Sequence, residues 1–330
     1  MHVESSMVLS RRDLLASAAA FFQFAGDVKV VNVLASVRNG KGEVVKDLKQ
    51  DDFALEDDGR PQVIKYFSRE TDLPLTLGLM VDTSGSQRRV LDKEKAATSK
   101  FIEQVIREDK DQAFLIKFDA EAELMQDLTP SRKKLQSALN DVESAAPRQL
   151  QRRGGTTTGS RGGTVLYDSI LLASDEEMKK QKGRKALILL TDGDDHGSRV
   201  SLVESIEAAQ RSDTLVYSIL FADQEQSFNP SMGGRGRGGG RGGRMPQQQS
   251  RGDGKKILQR ISKETGGSFF EVSRKTPIEK IYEQIEEELR GQYNIGYTPD
   301  KSDAGFHKIK VTAKGKGLVV QARDGYYATA

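Results

Sequence analysis

The sequence predicts an α/β protein: a doubly wound, mostly parallel sheet with helices on both faces, together with a small all-β subdomain. Three continuous apolar runs, at 75–81, 186–190 and 215–221, are typical of strands that are buried on both faces. Segments with helical spacing alternate with these runs, and such alternation indicates a parallel sheet. Short strands with alternating polarity occur near both ends of the chain, and they predict the all-β part.

The two flanking β segments span residues 27–72 and 292–330. The predicted strands of the first are Asp27–Ala35, Glu43–Val45 after the Asn39–Gly42 turn, Asp52–Glu56 and Val63–Phe67. Those of the second are Tyr293–Tyr297, Lys308–Ala313 and Leu318–Ala322. A few short strands bury too little apolar surface to be stable alone. We therefore expect the two segments to pair as one discontinuous β-sandwich.

Residues 73–291 form the predicted α/β domain. Its further predicted strands are Ala113–Phe118, a short edge strand Leu124–Leu128 and Ser268–Val272. Its predicted helices are Val90–Ile106, Ser131–Val142, Thr164–Met178, Ser201–Gln210, Ile257–Glu264 and Ile278–Leu289. Helices placed between the strands supply the right-handed crossovers that parallel strands need.

Two low-complexity stretches interrupt this domain, at residues 145–163 and 224–254. The segment Ser231–Gly252 alone holds five arginines and nine glycines with no acidic residue. Such compositions cannot bury apolar surface, so both stretches are predicted to be mobile loops.

The composition excludes several classes of function. The chain has 330 residues, no cysteine and a net charge of +3. Disulfides, thiol catalysis and thiolate metal sites are therefore excluded, and a nucleic-acid-binding surface over the whole protein is not expected. No apolar run approaches the roughly 20 residues that span a bilayer.

The first 26 residues contain a twin arginine, Arg11–Arg12, followed by a short apolar and small-residue stretch ending near Gly26. This order resembles a bacterial twin-arginine (Tat) export signal, which implies a periplasmic or extracellular location. The alternative is an unstructured N-terminus with two adjacent arginines by chance, in a cytoplasmic protein. Residues 1–26 are left out of the fold prediction in either case.

Polar side chains follow two of the buried strands and one glycine turn. Asp82-Thr83-Ser84-Gly85-Ser86 ends the first buried strand, and Thr191-Asp192-Gly193 follows the second. Thr164 lies after Gly162-Gly163, just before a predicted helix. In an open α/β sheet, ligands bind where the strands end and the loops diverge. Carboxylate and hydroxyl oxygens are hard ligands that suit Mg²⁺ or Mn²⁺.

These three motifs, in this order, resemble the metal-ion-dependent adhesion site (MIDAS) of von Willebrand factor type A (VWA) domains, whose fold is Rossmann-like. The five matching positions are Asp82, Ser84, Ser86, Thr164 and Asp192. The resemblance implies a bound Mg²⁺, with Mn²⁺ as the alternative and Ca²⁺ less suitable. It also implies a protein partner that offers a Glu or Asp carboxylate, in an adhesion-type binding module and not an enzyme. The flanking segments resemble a bacterial secreted VWFA-related branch, on Asp51-Asp52-Phe53 and Tyr293–Tyr297 among others.

Other interpretations stay open beside this one. An Asp-x-Ser-x-Ser motif alone is also typical of a helix cap and turn. The Arg-Gly repeats within Ser231–Gly252 resemble RNA-binding segments, but no aromatic residue stands among them for base stacking. A VWA subunit of an ATPase-driven assembly is a third possibility, which predicts a cytoplasmic location. A serine hydrolase is disfavoured, because the chain has three histidines and no Gly-x-Ser-x-Gly elbow.

Overall fold

The computed structural model describes residues 30–69, 73–143, 163–221, 247–300 and 303–328, with the backbone alone for 247–252. The predicted export signal in residues 1–26 lies outside this range, as do residues 145–162 and 224–246 of the two predicted loops. The segment Ser231–Gly252 proposed for RNA binding is therefore outside it except for the backbone of its last six residues. None of the described helices combines the length and apolarity that crossing a bilayer requires.

Four short strands precede the α/β domain in the part of the chain that the structure describes. They are β1 (Val31–Arg38), β2 (Phe53–Asp57), β3 (Arg60–Gln62) and β4 (Tyr66–Ser68). The predicted strand Glu43–Val45 is wrong, since Val44 forms only an isolated bridge with Arg38 there. The predicted strand Val63–Phe67 is replaced by β3 and β4, because the chain passes from one sheet to another between them.

The central sheet has six strands in the order β10-β9-β8-β5-β6-β7. They are β5 (Leu75–Asp82), β6 (Gln112–Phe118), β7 (Ala122–Thr129), β8 (Arg184–Thr191), β9 (Leu215–Leu220) and β10 (Phe269–Glu271). All are parallel except β7, which pairs antiparallel with β6 at the edge. Every residue of β5, β8 and β9 is buried, which confirms the interpretation of the three apolar runs.

Within the described residues, six helices accompany this sheet. They are α1 (Leu91–Val105), α2 (Arg132–Asp141), α3 (Leu166–Leu172, continued by a π-helical stretch Ala173–Met178), α4 (Leu202–Arg211), α5 (Gln247–Thr265) and α6 (Ile278–Arg290). Ser201 caps α4 in a reciprocal capping box with Glu204. Helix α5 begins ten residues before its predicted start at Ile257. The loop prediction for 224–254 is therefore wrong over 247–254, where polar residues extend a helix whose packed part comes later.

Helices cover both faces of the sheet, as the predicted doubly wound fold requires. One apolar cluster joins the side chains on one face of the strands to α1, α2 and α6. A second joins the opposite face to α3, α4 and α5. The alternation along β5 places Leu77 and Leu79 in the first cluster and Met80 in the second, as the two-residue period of a strand requires.

Gly78 lies in the middle of β5, where no side chain would fit. A Cβ atom there would lie 2.4 Å from both Leu187 Cδ2 and Phe114 Cζ. We expect Gly78→Ala to destabilise the fold by about 1–3 kcal/mol, because the buried neighbours must move apart. Urea denaturation measures this, with Gly40→Ala as the control, since a Cβ at Gly40 meets nothing nearer than 4.0 Å. Equal stability of the two variants would contradict the tight packing around Gly78.

Strands from both ends of the chain form two further four-stranded sheets, ordered β13-β1-β11-β4 and β14-β12-β2-β3. The C-terminal strands are β11 (Tyr293–Tyr297), β12 (Gly305–Ala313), β13 (Val319–Ala322) and β14 (Gly325–Ala328). Strand β1 lies between β11 and β13, and β12 pairs with β2, all antiparallel. The inner faces of the two sheets share one apolar core. Separate antiparallel sheets thus accompany the α/β unit, as the fold-class prediction stated.

Candidate metal centre

The predicted site lies where the chain order of the central sheet reverses. Strand β5 has its successor β6 on one side and the later strand β8 on the other. Loops that leave β5 and β8 therefore diverge to opposite faces of the sheet and leave a crevice between them. Val81 is in register with Leu190, so the two strands end side by side. Asp82 and Asp192 consequently reach the same sheet edge from adjacent strands.

Asp82 is fully buried, and its carboxylate is held by two donors. The backbone N–H of Ser84 donates to Oδ1 at 2.9 Å, and the Thr191 hydroxyl donates to Oδ2 at 2.5 Å. The hydroxyl oxygens of Ser84 and Ser86 lie 3.0 Å apart. The structure thus brings the three residues of the Asp-x-Ser-x-Ser motif together at the end of β5.

Asp192 follows β8 in a tight turn. Its Oδ1 accepts the backbone N–H of Asp194 at 3.2 Å, and Gly193 has a φ of 84°. A Cβ on Gly193 would lie 2.6 Å from the carbonyl oxygen of Gly254. Position 193 therefore requires glycine for two reasons, the left-handed backbone conformation and the close approach of α5.

Thr164 is joined to this cluster through its backbone. Its carbonyl oxygen accepts the N–H of His196 from the Asp192 loop at 3.0 Å, and the N–H of Val165 donates to the carbonyl oxygen of Asp119 at 2.8 Å. The Thr164 side chain is buried. Within the described residues, its hydroxyl makes no hydrogen bond to Asp82, Ser84 or Asp192, so the structure brings its loop, but not its oxygen, into contact with them.

Negative charge accumulates at the site. Burial, and next the neighbouring charge of Asp192, raise the pKa of Asp82 from 3.8 to about 7. The pKa of Glu94 on α1 is raised well above its ordinary value by burial and then by Asp82 and Asp192. Glu94 is 1% exposed, and neither of its carboxylate oxygens has a hydrogen-bond partner among the described residues. A positive charge is what would stabilise three such carboxylates in their ionised form.

Glu94 and Asp119 also lie at this site and were not among the residues predicted from the sequence. Glu94 stands among Leu91, Ala97 and Phe101 on the buried face of α1, and an acid on an apolar stripe is a signal that could have found it. Asp119 directly follows β6, and its Oδ2 accepts the hydroxyl of Thr83 at 3.1 Å. An acid at the end of a third neighbouring strand belongs to the same pattern as the acids at 82 and 192.

The donors at this site suit a hard cation. They are carboxylates and hydroxyls, and no thiol or imidazole lies within the Asp-x-Ser-x-Ser loop. His196, the histidine of the Asp192 loop, is exposed. Buried carboxylate oxygens without donors, on Glu94, are a feature that a nearby cation would explain.

A comparison with protein families finds a match over the part of the chain that contains the predicted metal ligands. Residues 77–194 match the family model described as von Willebrand factor type A domain, and this range contains all five predicted ligand positions. No curated relative matches the sequence.

Three solved structures illustrate the similarity of the fold. BatB from Bacteroides thetaiotaomicron is 19% identical, covers 66% of this chain and 99% of its own, and has a TM-score of 0.44. Proximal thread matrix protein 1 from the mussel byssus, with a zinc-occupied MIDAS motif, is 14% identical, with 72% and 50% coverage and a TM-score of 0.46. A von Willebrand factor type A protein from Catenulispora acidiphila is 11% identical, with 93% and 76% coverage and a TM-score of 0.46. None of these likenesses is close enough to assign residues.

Proposed function

We propose that this chain, whose residues 77–194 match the von Willebrand factor type A domain model, is a cation-dependent binding module for an acidic protein partner. Asp82, Ser84, Ser86, Thr164 and Asp192 would hold the cation. The oxygen-only donor set favours Mg²⁺, with Mn²⁺ as the alternative and Ca²⁺ less suitable. The chain acts in this proposal by binding and not as an enzyme.

One observation carries the proposal: buried carboxylates crowd the end of β5. Asp82 is fully buried beside Asp192, and Glu94 is buried behind them with both oxygens unpaired among the described residues. Ionising these groups in a low-dielectric environment is costly unless a cation is present. The arrangement therefore supports a site built to hold a divalent ion.

A bound cation would attract a carboxylate from outside. Mg²⁺ takes six ligands and is usually held by only one or two protein carboxylates, so positions are left for water or a ligand. The Ser84 and Ser86 hydroxyls contribute no charge, which leaves the ion electrophilic. A Glu or Asp of a partner is the group that such an ion would recognise.

We further propose that the module works outside the cytoplasm. The twin arginine Arg11–Arg12 and the short apolar stretch after it support export to the periplasm or beyond. An acidic partner would then be another exported or cell-surface protein.

The test is a calorimetric titration of Mg²⁺ and Mn²⁺ into the chelator-treated full chain and into Asp82→Asn. Asparagine keeps the shape and the acceptor for Ser84 but removes the charge. We expect saturable binding in the wild type that is weakened by at least about 100-fold in the variant, since even outer-shell changes cost 10–100-fold. Asp109→Asn, at an exposed turn, is the matched control and should bind like the wild type. Unchanged affinity in Asp82→Asn, with the fold intact by circular dichroism, would refute the assignment.

A further inference from the structure

A second group of potential ligands lies in the antiparallel sheets, away from the end of β5. Asp57 is the last residue of β2, Asp58 begins the turn to β3, and His307 is on β12 beside them. One ligand atom from each of the three lies within 4.8 Å of the others. The group joins residues from opposite ends of the chain, because β2 pairs with β12.

The imidazole ring of His307 is oriented by a hydrogen bond to the backbone carbonyl of Asp303. Its Nε2 lies 2.7 Å from the carbonyl oxygen of Asp303, which can only accept, so Nε2 carries a proton. This leaves Nδ1 as the atom that faces the acids, 3.1 Å from Asp58 Oδ2 and 3.7 Å from Asp57 Oδ1. A histidine that ligates a metal commonly donates its other N–H to a carbonyl oxygen in this way.

Each carboxylate is anchored through one oxygen only. Asp57 Oδ2 accepts the hydroxyls of Tyr297 at 2.8 Å and Tyr326 at 3.3 Å, whereas Oδ1 is buried and has no hydrogen-bond partner among the described residues. Asp58 Oδ1 accepts the backbone N–H of Lys308 at 2.9 Å, and its Oδ2 faces His307. Asp57 is 6% exposed, so its second oxygen is a desolvated acceptor aimed at the imidazole.

We propose that Asp57, Asp58 and His307 form a second cation site, selective for Zn²⁺ or a similar transition-metal ion. The set of one imidazole nitrogen and two carboxylate oxygens suits Zn²⁺ better than Mg²⁺. Ligands at about 2.0 Å in a tetrahedron lie about 3.3 Å from each other. The separations of 3.1 and 3.7 Å from Nδ1 are close to that value.

The position of the site indicates a structural role. Asp57 and Asp58 come from the N-terminal flank, and His307 from the C-terminal flank, some 250 residues later along the chain. A cation there cross-links the two flanks in a protein that has no cysteine for a disulfide. The Asp58 side chain is 52% exposed, which gives an ion access from solvent and leaves a fourth position for water.

The alternative to a bound cation is a second proton on the His307 imidazole, carried by Nδ1. A doubly protonated His307 would donate from Nδ1 to Asp58 and form an ion pair without any metal. That arrangement also explains the short Nδ1 contact, but it leaves the buried Oδ1 of Asp57 without a donor. Metal titration separates the two cases, because only the cation site binds a spectroscopic probe ion.

The experiment titrates Co²⁺ into the tag-free, chelator-treated full chain and follows the visible absorption bands of tetrahedrally coordinated cobalt. We expect one equivalent to bind with such bands in the wild type. The control His196→Gln, which changes an exposed histidine, should behave identically. His307→Gln should bind at least about 100-fold more weakly, as should Asp58→Asn, whose exposed position leaves the fold intact.

Thermal unfolding supplies a second readout. In the Asp82→Asn background, Zn²⁺ should raise the Tm increasingly with free ion concentration, and adding Asp58→Asn to that variant should abolish the rise. The Asp82→Asn variant should keep the cobalt bands, so failure of the Asp82 site and failure of this one are distinguishable. Cobalt bands that survive in both His307→Gln and Asp58→Asn, or no saturable binding in the wild type, would overturn the proposal.

Discussion

The metal-free protein is expected to lose stability as the pH rises from about 4 to about 7, through the titration of Asp82. The pKa of this carboxyl is raised from 3.8 to about 7 in the folded state, by burial first and by Asp192 second. In this window the folded protein binds the proton that the unfolded chain has released. The free energy of unfolding therefore falls as the pH rises, which is the reverse of the effect of a carboxylate in an ion pair.

The size of this effect follows from the shift. One pKa unit corresponds to about 1.4 kcal/mol, so a rise from 3.8 to about 7 gives a loss of up to about 4 kcal/mol. Glu94 acts in the same direction, because its pKa is also raised. A bound divalent cation favours the ionised forms, so Mg²⁺ should restore most of the lost stability at pH 7.

Urea denaturation at pH 4.5, 5.5, 6.5 and 7.5 in the presence of a chelator measures this dependence. Asp82→Asn is the matched control, since it keeps the side-chain volume and cannot ionise. The difference between the two free energies of unfolding isolates Asp82 from the other acids. A difference that does not change with pH would mean that Asp82 titrates normally, and the electrostatic case for the cation site would fail.

Arg38→Met should destabilise the protein by about 3–5 kcal/mol, because it leaves a buried charge without its partner. Arg38 on β1 forms an ion pair with Glu288 on α6, with Nη2 at 2.6 Å and Nε at 2.8 Å from Oε1. Glu288 is 1% exposed and also accepts the Ser268 hydroxyl at 2.9 Å. This pair connects the β-sandwich to the α/β domain, so its loss should loosen that junction.

The free energy of unfolding is measured by urea denaturation, with two control variants. Lys310→Met removes an exposed pair with Glu56 at 3.7 Å and should change stability by no more than about 1 kcal/mol. Replacing both Arg38 and Glu288 by methionine removes the unpaired charge and should recover most of the loss. If Arg38→Met is no worse than Lys310→Met, the ion pair does not hold the junction together.

The local sequence was sufficient to identify the fold class and three motifs of the candidate site. Strands that are buried on both faces appear in a sequence as continuous apolar runs, so β5, β8 and β9 could be predicted directly from the sequence. The acids at 82 and 192 stand directly at the ends of two of these runs. Because neighbouring parallel strands end at the same edge of the sheet, the two acids were expected to lie close together. Where burial is only partial the pattern was weaker, which is why the strand boundaries around Val44 and Val63 were wrong.

Only the tertiary structure decided which distant residues meet. That Glu94 lies behind Asp82 depends on how α1 packs on β5, and half a turn of rotation of α1 about its own axis would have directed Glu94 to solvent. The cluster of Asp57, Asp58 and His307 exists because β2 and β12 are neighbours, a pairing that no local pattern specifies. Periodicity in a sequence determines which face of an element is buried, whereas the partner of that face is selected by the packing of the whole chain.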